Sequence, residues 1–309
     1  MDYDAIIVGG GPAGLTAGRD LAQAGVRVLL LDQQSFGGQM MNLEWVVDYP
    51  AAGERVAGAA LAAEMVDAAA KSGVRMEQRE VVDIECYSAC KSVVCAERKA
   101  YTCSVVILSG GLTPKKLAVP GEQKFQGKGM IHCALCDASL YSNQVVAVCG
   151  GGDAGIIEAL FLANHASKVL VIEAEPDLSA KPILKERARA HPKIEIRCGE
   201  KVVEIAGDAF VTGVQVMNTT TARKELLRVD GVLVHVGFEP ATAYLQATLP
   251  LDESNYVVVN AQCETEVSGI VAAGDIRRGS PRRVASAVSD GASAAIAAQG
   301  LLQEMTQED

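Results

Sequence analysis

Aromatic residues are scarce: one Trp, seven Tyr and five Phe make up 4% of the 309-residue chain. Hydrophobic content is nonetheless 49%, so the cores must be built from Ala, Val, Leu and Ile. Positive charge is also short. Lys and Arg number 28 against 38 Asp and Glu, a net charge of −10, which argues against a nucleic-acid partner because phosphates call for a basic face. No apolar run reaches membrane-spanning length, and no membrane partner is expected. Met1-Asp2-Tyr3-Asp4 leads at once into a strand-like run, leaving no room for a leader peptide; a cytoplasmic location is the expectation. The nine cysteines are an odd number, which does not read as a disulfide scaffold.

What is there is a pair of thiols, His132-Cys133-Ala134-Leu135-Cys136-Asp137, between two glycine-rich loops, Gly9-Gly10-Gly11-Pro12-Ala13-Gly14 and Gly150-Gly151-Gly152-Asp153-Ala154-Gly155. Thiols two residues apart can close and reopen a small disulfide. Each loop follows an apolar run (Ala5 to Val8; Gln144 to Cys149) and opens a helix (Leu15 to Ala24; Asp153 to His165). A second strand then ends in an acid, Asp32 or Glu173. In such a βαβ unit the first glycine permits a tight turn, the second lets a pyrophosphate approach, and the third lets helix pack on strand. The helix N-terminus faces the phosphates, and the acid accepts hydrogen bonds from a ribose. Two such units imply an internal duplication, for which the length suffices.

Beta-like runs are expected at 81–87, 91–97 and 101–108, then at 194–197, 201–205, 211–217, 226–236, 256–259 and 270–273. Helices are expected at 59–72 and 285–299, and residues 303–309 read as a solvated tail. Cys86, Cys90, Cys95 and Cys103 contain no CxxC and match no common cluster spacing; they read as small apolar residues on antiparallel strands. Cys149 and Cys198 read as core. A zinc knuckle at Cys133 and Cys136 would need a second CxxC or a His pair, and neither is visible, so no metal is expected. His132 reads as a packing residue.

GGGPAG, GGQ at 37–39, CALCD at 133–137, GGGDAG, GFEP at 237–240 and GDI at 274–276, in this order, make the chain resemble the low-molecular-weight thioredoxin reductases over almost its whole length. The resemblance implies an α/β fold of two Rossmann-like dinucleotide-binding domains (three-layer ββα type), the second inserted into the first. An FAD domain would comprise 1–113 and 241–309, and an inserted NAD(P)-type domain with the CxxC would comprise 114–240. It implies a homodimer, a rotation between domains, and thioredoxin or a thioredoxin-like protein as partner. It places Gly9, Gly11, Pro12, Ala13, Gly14, Asp32, Gln33, Gly38, Gln39, Asp48, Val82, Gly110, Gly274, Asp275, Arg283 and Val284 at FAD. Gly150, Gly152, Gly155 and Glu173 fall at a nicotinamide-dinucleotide site. Cys136 matches the flavin-side sulfur, Cys133 the sulfur that attacks the partner's disulfide, and Asp137 the general acid. A CxxC at a helix start is expected to lower a thiol pKa.

The chain also departs from that family. NADPH-using members carry His-Arg-Arg after the second strand of the inserted domain. Here Glu173-Ala174-Glu175-Pro176-Asp177 stands there, three carboxylates with no nearby Arg, and like charges 4 Å apart cost about 4 kcal/mol at a surface-like dielectric. NADPH is therefore disfavoured; NADH, ferredoxin or another donor stay open. Leu108-Ser109-Gly110-Gly111 replaces ATGA, Asp48 an Asn, and Arg283 a Gln, which points to an altered flavin environment. A flavin-dependent dithiol oxidase, closing disulfides in small molecules with oxygen as acceptor, is the alternative, although it would suit His better than Asp after the CxxC. A non-catalytic flavin-binding sensor is a third reading, against which the intact CxxC-Asp argues.

Overall fold

The computed structural model describes residues 1–47, 49, 55–88, 90–245 and 248–308, with side chains to 305. It divides into two compact units, Met1–Thr113 with Glu239–Asp309, and Pro114–Phe238. In chain order the first unit runs β1 (Ala5–Val8), α1 (Pro12–Gln23), β2 (Val28–Asp32), a 3-10 turn at Gly38–Asn42, α2 (Gly58–Lys71), β3 (Arg75–Gln78), β4 (Val81–Cys86), β5 (Lys91–Cys95), β6 (Ala100–Cys103) and β7 (Val105–Leu108). After the crossing strand β8 (Leu112–Pro114) come β9 (Met130–Ile131), α3 (Ala134–Asp137), β10 (Val145–Cys149), α4 (Asp153–Leu162), β11 (Lys168–Glu173), α5 (Pro182–Ala190) and β12 (Ile194–Cys198). β13 (Glu200–Gly207), β14 (Val211–Asn218), β15 (Lys224–Arg228) and β16 (Gly231–Val234) follow. The return strand β17 (Phe238–Pro240) pairs with β8, and β18 (Ile270–Ala272) and α6 (Val284–Glu308) complete the chain.

The two units repeat one plan. Each has a five-stranded parallel sheet, ordered β18-β7-β1-β2-β3 or β12-β11-β10-β16-β9, and a three-stranded antiparallel sheet, β4-β5-β6 or β13-β14-β15. Alternation along the strands splits each core in two. Ala5 and Ile7 pack with Leu15, Leu21 and the alanines of α6. Ile6 and Val8 face the antiparallel sheet through Ile84, Val93 and Tyr101. Val146 and Val148 meet Ile156 and Leu162 of α4, whereas Ala147 and Cys149 meet Val202, Ile205, Val214 and Val216. Each unit is thus helix, parallel sheet, antiparallel sheet: the three-layer ββα arrangement twice over. α6 is rich in small residues because it crosses α1 closely; a Cβ on Gly291 would lie 2.3 Å from the Ala13 carbonyl oxygen.

Several local expectations fail for physical reasons. The run 101–108 is two strands in different sheets, divided at Ser104, and 226–236 divides likewise between β15 and β16. Apolar periodicity does not say which sheet a strand joins. α1 begins at Pro12, not Leu15, because Pro is pre-set for the first helical position. Residues 256–259 form no strand, only isolated bridges from Val257 to Leu251 and Arg277. The expected tail is helical to Glu308, and α5 was unannounced because Pro182–Ala190 is short and carries four charges among its nine residues. Among the described residues no helix is long and apolar enough to cross a membrane.

Candidate functional site

The first glycine loop is built as the fingerprint demands. Gly9 has φ +110, and a Cβ there would sit 2.3 Å from the Ser109 carbonyl oxygen. A Cβ on Gly14 would fall 2.0 Å from the Gly9 carbonyl oxygen. The middle glycine differs: around Gly11 the nearest atom to an added Cβ is the Gly38 Cα at 4.0 Å. The outer glycines are therefore needed by the fold, while the open face of Gly11 leaves room for a pyrophosphate at the start of α1. The Ser109 hydroxyl donates to the Gly9 carbonyl at 2.8 Å, which gives this departure from ATGA a bracing role under the turn. Asp32, at the end of β2, accepts the Gly10 N–H at 2.6 Å and the Gln34 N–H at 2.8 Å. Burial raises its pKa, and these two N–H groups oppose the rise.

The other expected cofactor residues gather mainly at the C-terminal ends of β1, β2, β7 and β18, where open α/β sheets bind ligands. A Cβ on Gly38 (φ +60) would lie 3.0 Å from the Gly11 Cα, and one on Gly274 (φ +78) 3.0 Å from the Ala13 Cβ. The Gln39 amide donates to the Leu112 carbonyl at 3.5 Å. Gly110 lies near Ala241 and Ile276. Asp275 is pushed up by burial while the Ser280 hydroxyl, donating at 2.7 Å, pulls the other way. Val284 is buried with Met40, Val46, Leu61 and Ala62. The Arg283 N–H donates to the Ser286 hydroxyl at 3.3 Å. Gln33 holds Gln78 through its carbonyl, and Val82 is exposed on β4. Asp48 and Pro50 lie outside the described residues. Sequence reasoning missed Asp290, a buried acid on α6. It accepts the Gly274 N–H at 3.1 Å and the Arg277 Nη2 at 2.7 Å, so it braces the turn that presents Asp275; a lone Asp in a run of small residues was the available signal.

The second loop copies the first. Gly150 has φ +118 and would strike the His235 carbonyl oxygen at 2.1 Å; Gly155 would strike the Gly150 carbonyl oxygen at 2.2 Å; Gly152 is open to 3.6 Å. Glu173 accepts the Gly151 N–H at 2.6 Å and the Glu175 N–H at 3.1 Å. The expectation of three carboxylates with no nearby Arg is corrected at one of the three, Asp177. Asp177 is paired with Lys185 at 2.8 Å and Arg189 at 2.6 Å, and Asp153 with Lys181 at 3.0 Å. These cations come from α5 and the residue before it, a helix that the sequence pattern did not disclose.

Cys133 caps α3: its sulfur accepts the Cys136 N–H at 3.2 Å. Cys133 is 8% exposed and Cys136 lies at the surface. Burial pushes the Cys133 thiol up to about 11; the Cys136 side chain adds to the rise, the Cys136 N–H opposes it, and the charge of Glu158 raises it further. The expected lowering by a helix start is therefore not seen at Cys133. α3 is only four residues long, and its aligned peptide dipoles are too few to outweigh burial. Asp137 turns back to accept the His132 N–H at 3.3 Å. Cys95 and Cys103 are buried on the core-facing side of the antiparallel sheet, and Cys149 is core, its thiol pushed up to about 12 by burial.

A family model described as pyridine nucleotide-disulphide oxidoreductase matches residues 3–291. The chain is 34% identical to a thioredoxin reductase of Bacillus subtilis (strain 168) over 99% of its length and 96% of that protein's. It is 35% identical to a bifunctional thioredoxin reductase/thioredoxin of Mycobacterium leprae (strain TN), over 98% of this chain but 66% of that longer protein. A crystal structure of Lactococcus lactis thioredoxin reductase superposes with a TM-score of 0.89 at 30% identity, covering 98% of this chain and 99% of that one.

Proposed function

The chain belongs to the pyridine nucleotide-disulphide oxidoreductases, in the bacterial low-molecular-weight thioredoxin reductase branch, an FAD-dependent disulfide reductase, and we propose that Cys133 and Cys136 relay its electrons to thioredoxin or a thioredoxin-like protein. The carrying observation is the sulfur pair held by the Cys136 N–H, in a chain whose first glycine loop leaves Gly11 open while walling in Gly9 and Gly14. That loop, with Asp32 and Asp275, would hold FAD's dinucleotide part, and the stretch Gly37-Gly38-Gln39 would lie near its ring. FAD, when bound, supplies the two electrons that convert a disulfide to a dithiol.

The protein's own residues account for the rest. One cysteine, as thiolate, attacks the partner's disulfide. A sulfur–sulfur bond forms between the chains, the partner's bond breaks, and its leaving sulfur takes a proton. The second cysteine then attacks the mixed disulfide, closing Cys133–Cys136 and releasing the partner as a dithiol. Asp137, beside the second sulfur in sequence, is the proton donor in this reading. With Cys133 buried and its thiol high, Cys133 must become accessible before it attacks. The proposal includes a homodimer working in the cytoplasm.

The proposed donor is NADH, ferredoxin or another reductant in preference to NADPH. Glu173 and Glu175 support this, since among the described residues neither has a cation partner of its own, and Lys185 and Arg189 are already engaged by Asp177. Anaerobic titration with NADPH, NADH and reduced ferredoxin, followed by oxidised thioredoxin, tests both parts. Flavin bleaching identifies the donor. Recovery of oxidised flavin on adding thioredoxin supports the relay, and failure with every thioredoxin of the source cell overturns it.

A further inference from the structure

A dense run of positive charge stands beside Asp275 in this acidic chain. Arg277-Arg278-Gly279-Ser280-Pro281-Arg282-Arg283 puts four of the 28 basic residues into seven positions with no acid among them, against a net charge of −10. The run is tied to Asp275 by hydrogen bonds. The Ser280 hydroxyl donates to the Asp275 carboxylate at 2.7 Å and accepts the Arg282 N–H at 3.2 Å. Arg282 has φ +56, a left-handed conformation that is uncommon for a residue with a Cβ and that collects at functional sites. Its Nη2 donates to the Tyr256 hydroxyl at 2.7 Å. The neighbouring acids lie underneath. Asp290 is buried and holds Arg277. Asp252, with a side chain 17% exposed, is 3.9 Å from the guanidinium of Arg278, which is 69% exposed. Arg278, Arg282 and Arg283 are all exposed, so the face turned to solvent is cationic. An apolar edge borders it. Val284, next after Arg283, is buried in one cluster with Val46, whose neighbours Trp45 and Val47 are exposed. The Arg55 guanidinium lies 4.5 Å from the centre of the Trp45 ring.

We propose that this face, with Arg278, Arg282 and Arg283 at its centre and Trp45 at its edge, docks a small acidic one-electron carrier protein that reduces the flavin. The inference rests on reading the first unit as the FAD unit, and it narrows the donor question left open above. Charge selects the partner: exposed guanidinium groups draw in an acidic surface, speed the encounter and repel basic competitors. Arg and Trp are also the residue types that most often anchor protein interfaces. Position selects the chemistry. The face belongs to the unit of Asp32 and Asp275, whereas Cys133 and Cys136, where thioredoxin is bonded, belong to the other. A protein seated here lies against the loop that presents Asp275. The electrons balance simply. Each reduced carrier gives up one electron; two carriers and two protons convert oxidised flavin to its fully reduced form, and both carriers leave oxidised. No covalent bond to the carrier is formed.

The test is calorimetric binding of an oxidised iron–sulfur ferredoxin to the oxidised holoenzyme, with no turnover, at about 20 mM and about 500 mM salt, which bracket the range over which surface charges are screened. Three variants are compared with the unaltered protein: Arg278→Glu, Arg282→Gln and, as a control of equal charge change in the other unit, the exposed Lys128→Glu. Arg278→Glu is expected to weaken binding about tenfold at low salt and far less at high salt, as an exposed charge in a docking face should. Arg282→Gln should weaken it in the same sense, and Lys128→Glu should leave it unchanged. Rapid mixing with reduced ferredoxin should show flavin bleaching slowed to match in Arg278→Glu, while bleaching by dithionite stays as in the unaltered protein. Binding that ignores both arginine variants, or that falls equally with Lys128→Glu, overturns the proposal. So does an Arg278→Glu variant that instead loses affinity for thioredoxin or dissociates from a second copy of the chain, because the face then serves that contact. The outcome separates from the thioredoxin reading. If dithionite-reduced holoenzyme reduces thioredoxin but ferredoxin does not bind, this inference alone fails. If ferredoxin binds and bleaches the flavin but no thioredoxin re-oxidises it, the relay alone fails.

Discussion

Asp32 and Glu173 do the same job in the two units: each closes a βαβ turn by accepting, at 2.6 Å, the N–H of the second glycine of its loop, Gly10 or Gly151. The duplication therefore reaches down to single hydrogen bonds. The units differ in what surrounds that acid. Asp32 stands beside the open face of Gly11, whereas beyond Glu173 lie two further acids and a basic helix that neutralises one of them.

The glycines of the first loop should separate fold from ligand. Gly14→Ala, which forces a Cβ to 2.0 Å from a carbonyl oxygen, is expected to unfold the apoprotein at lower temperature. Gly9→Ala, at φ +110, should cost about 1–3 kcal/mol from backbone strain alone. Gly11→Ala should leave apoprotein stability within about 1 kcal/mol, since Gly mid-turn gains little from space it does not share, yet lose flavin. Thermal unfolding of apoprotein, set beside the flavin-to-protein absorbance ratio, reads both effects.

Of the two sulfurs, Cys133 is expected to form the bond to the partner. Reduced Cys136→Ser should accumulate a mixed disulfide with a single-cysteine thioredoxin whose remaining sulfur is activated as the 5-thio-2-nitrobenzoate disulfide, the Cys133 thiolate expelling thionitrobenzoate, and Cys133→Ser should not. Both variants should retain flavin and lose thioredoxin reduction to background. Non-reducing electrophoresis and mass spectrometry identify the trapped sulfur; trapping at Cys136 would reverse the assignment.

Asp177, four residues beyond Glu173, holds Lys185 and Arg189. Asp177→Asn should free Lys185 and Arg189 for a 2′-phosphate and improve the use of NADPH by about tenfold, the worth of one charge-assisted hydrogen bond. NADH should change little. Flavin bleaching by each nucleotide measures the ratio, and an unchanged ratio would show that these cations lie out of the nucleotide's reach.

Glu77 ties the end of β3 to β6 and the turn between β3 and β4. It accepts the Tyr101 hydroxyl at 2.6 Å and the Arg79 Nε at 2.9 Å, and these partners hold its carboxyl at about 2 instead of the ordinary 4.5. A lowered carboxyl favours the folded state above the unfolded value and loses that contribution as pH falls through the folded one. The wild-type protein should thus lose stability between about 4.5 and about 2 in a way that Glu77→Gln does not. Denaturant unfolding across that range compares the two.

Much of the fold was legible because its signals are local. Glycine loops impose turns through backbone sterics, and strands ending in Asp32 and Glu173 announce βαβ units. What was illegible depended on distance. Nothing at Ser104 or Asp230 says that the chain there leaves one sheet for another. α5 carries too few apolar residues to show a helical stripe, so Arg189 could not be foreseen beside Asp177, twelve residues earlier. The burial of Cys133 is likewise a product of packing, and it reversed an expectation drawn from the CxxC alone. Glu158 and His235, whose side chains meet at 2.9 Å, are 77 positions apart, and only the fold makes them neighbours.

The central claim is that flavin and the Cys133–Cys136 pair exchange electrons within one protein, and anaerobic dithionite titration tests it most directly. The oxidised wild-type holoenzyme is predicted to take up twice as many reducing equivalents before full bleaching as a Cys133→Ser variant, because the disulfide fills as well as the flavin. Equal uptake by the two proteins, or the absence of bound flavin from the purified wild type, would contradict the account.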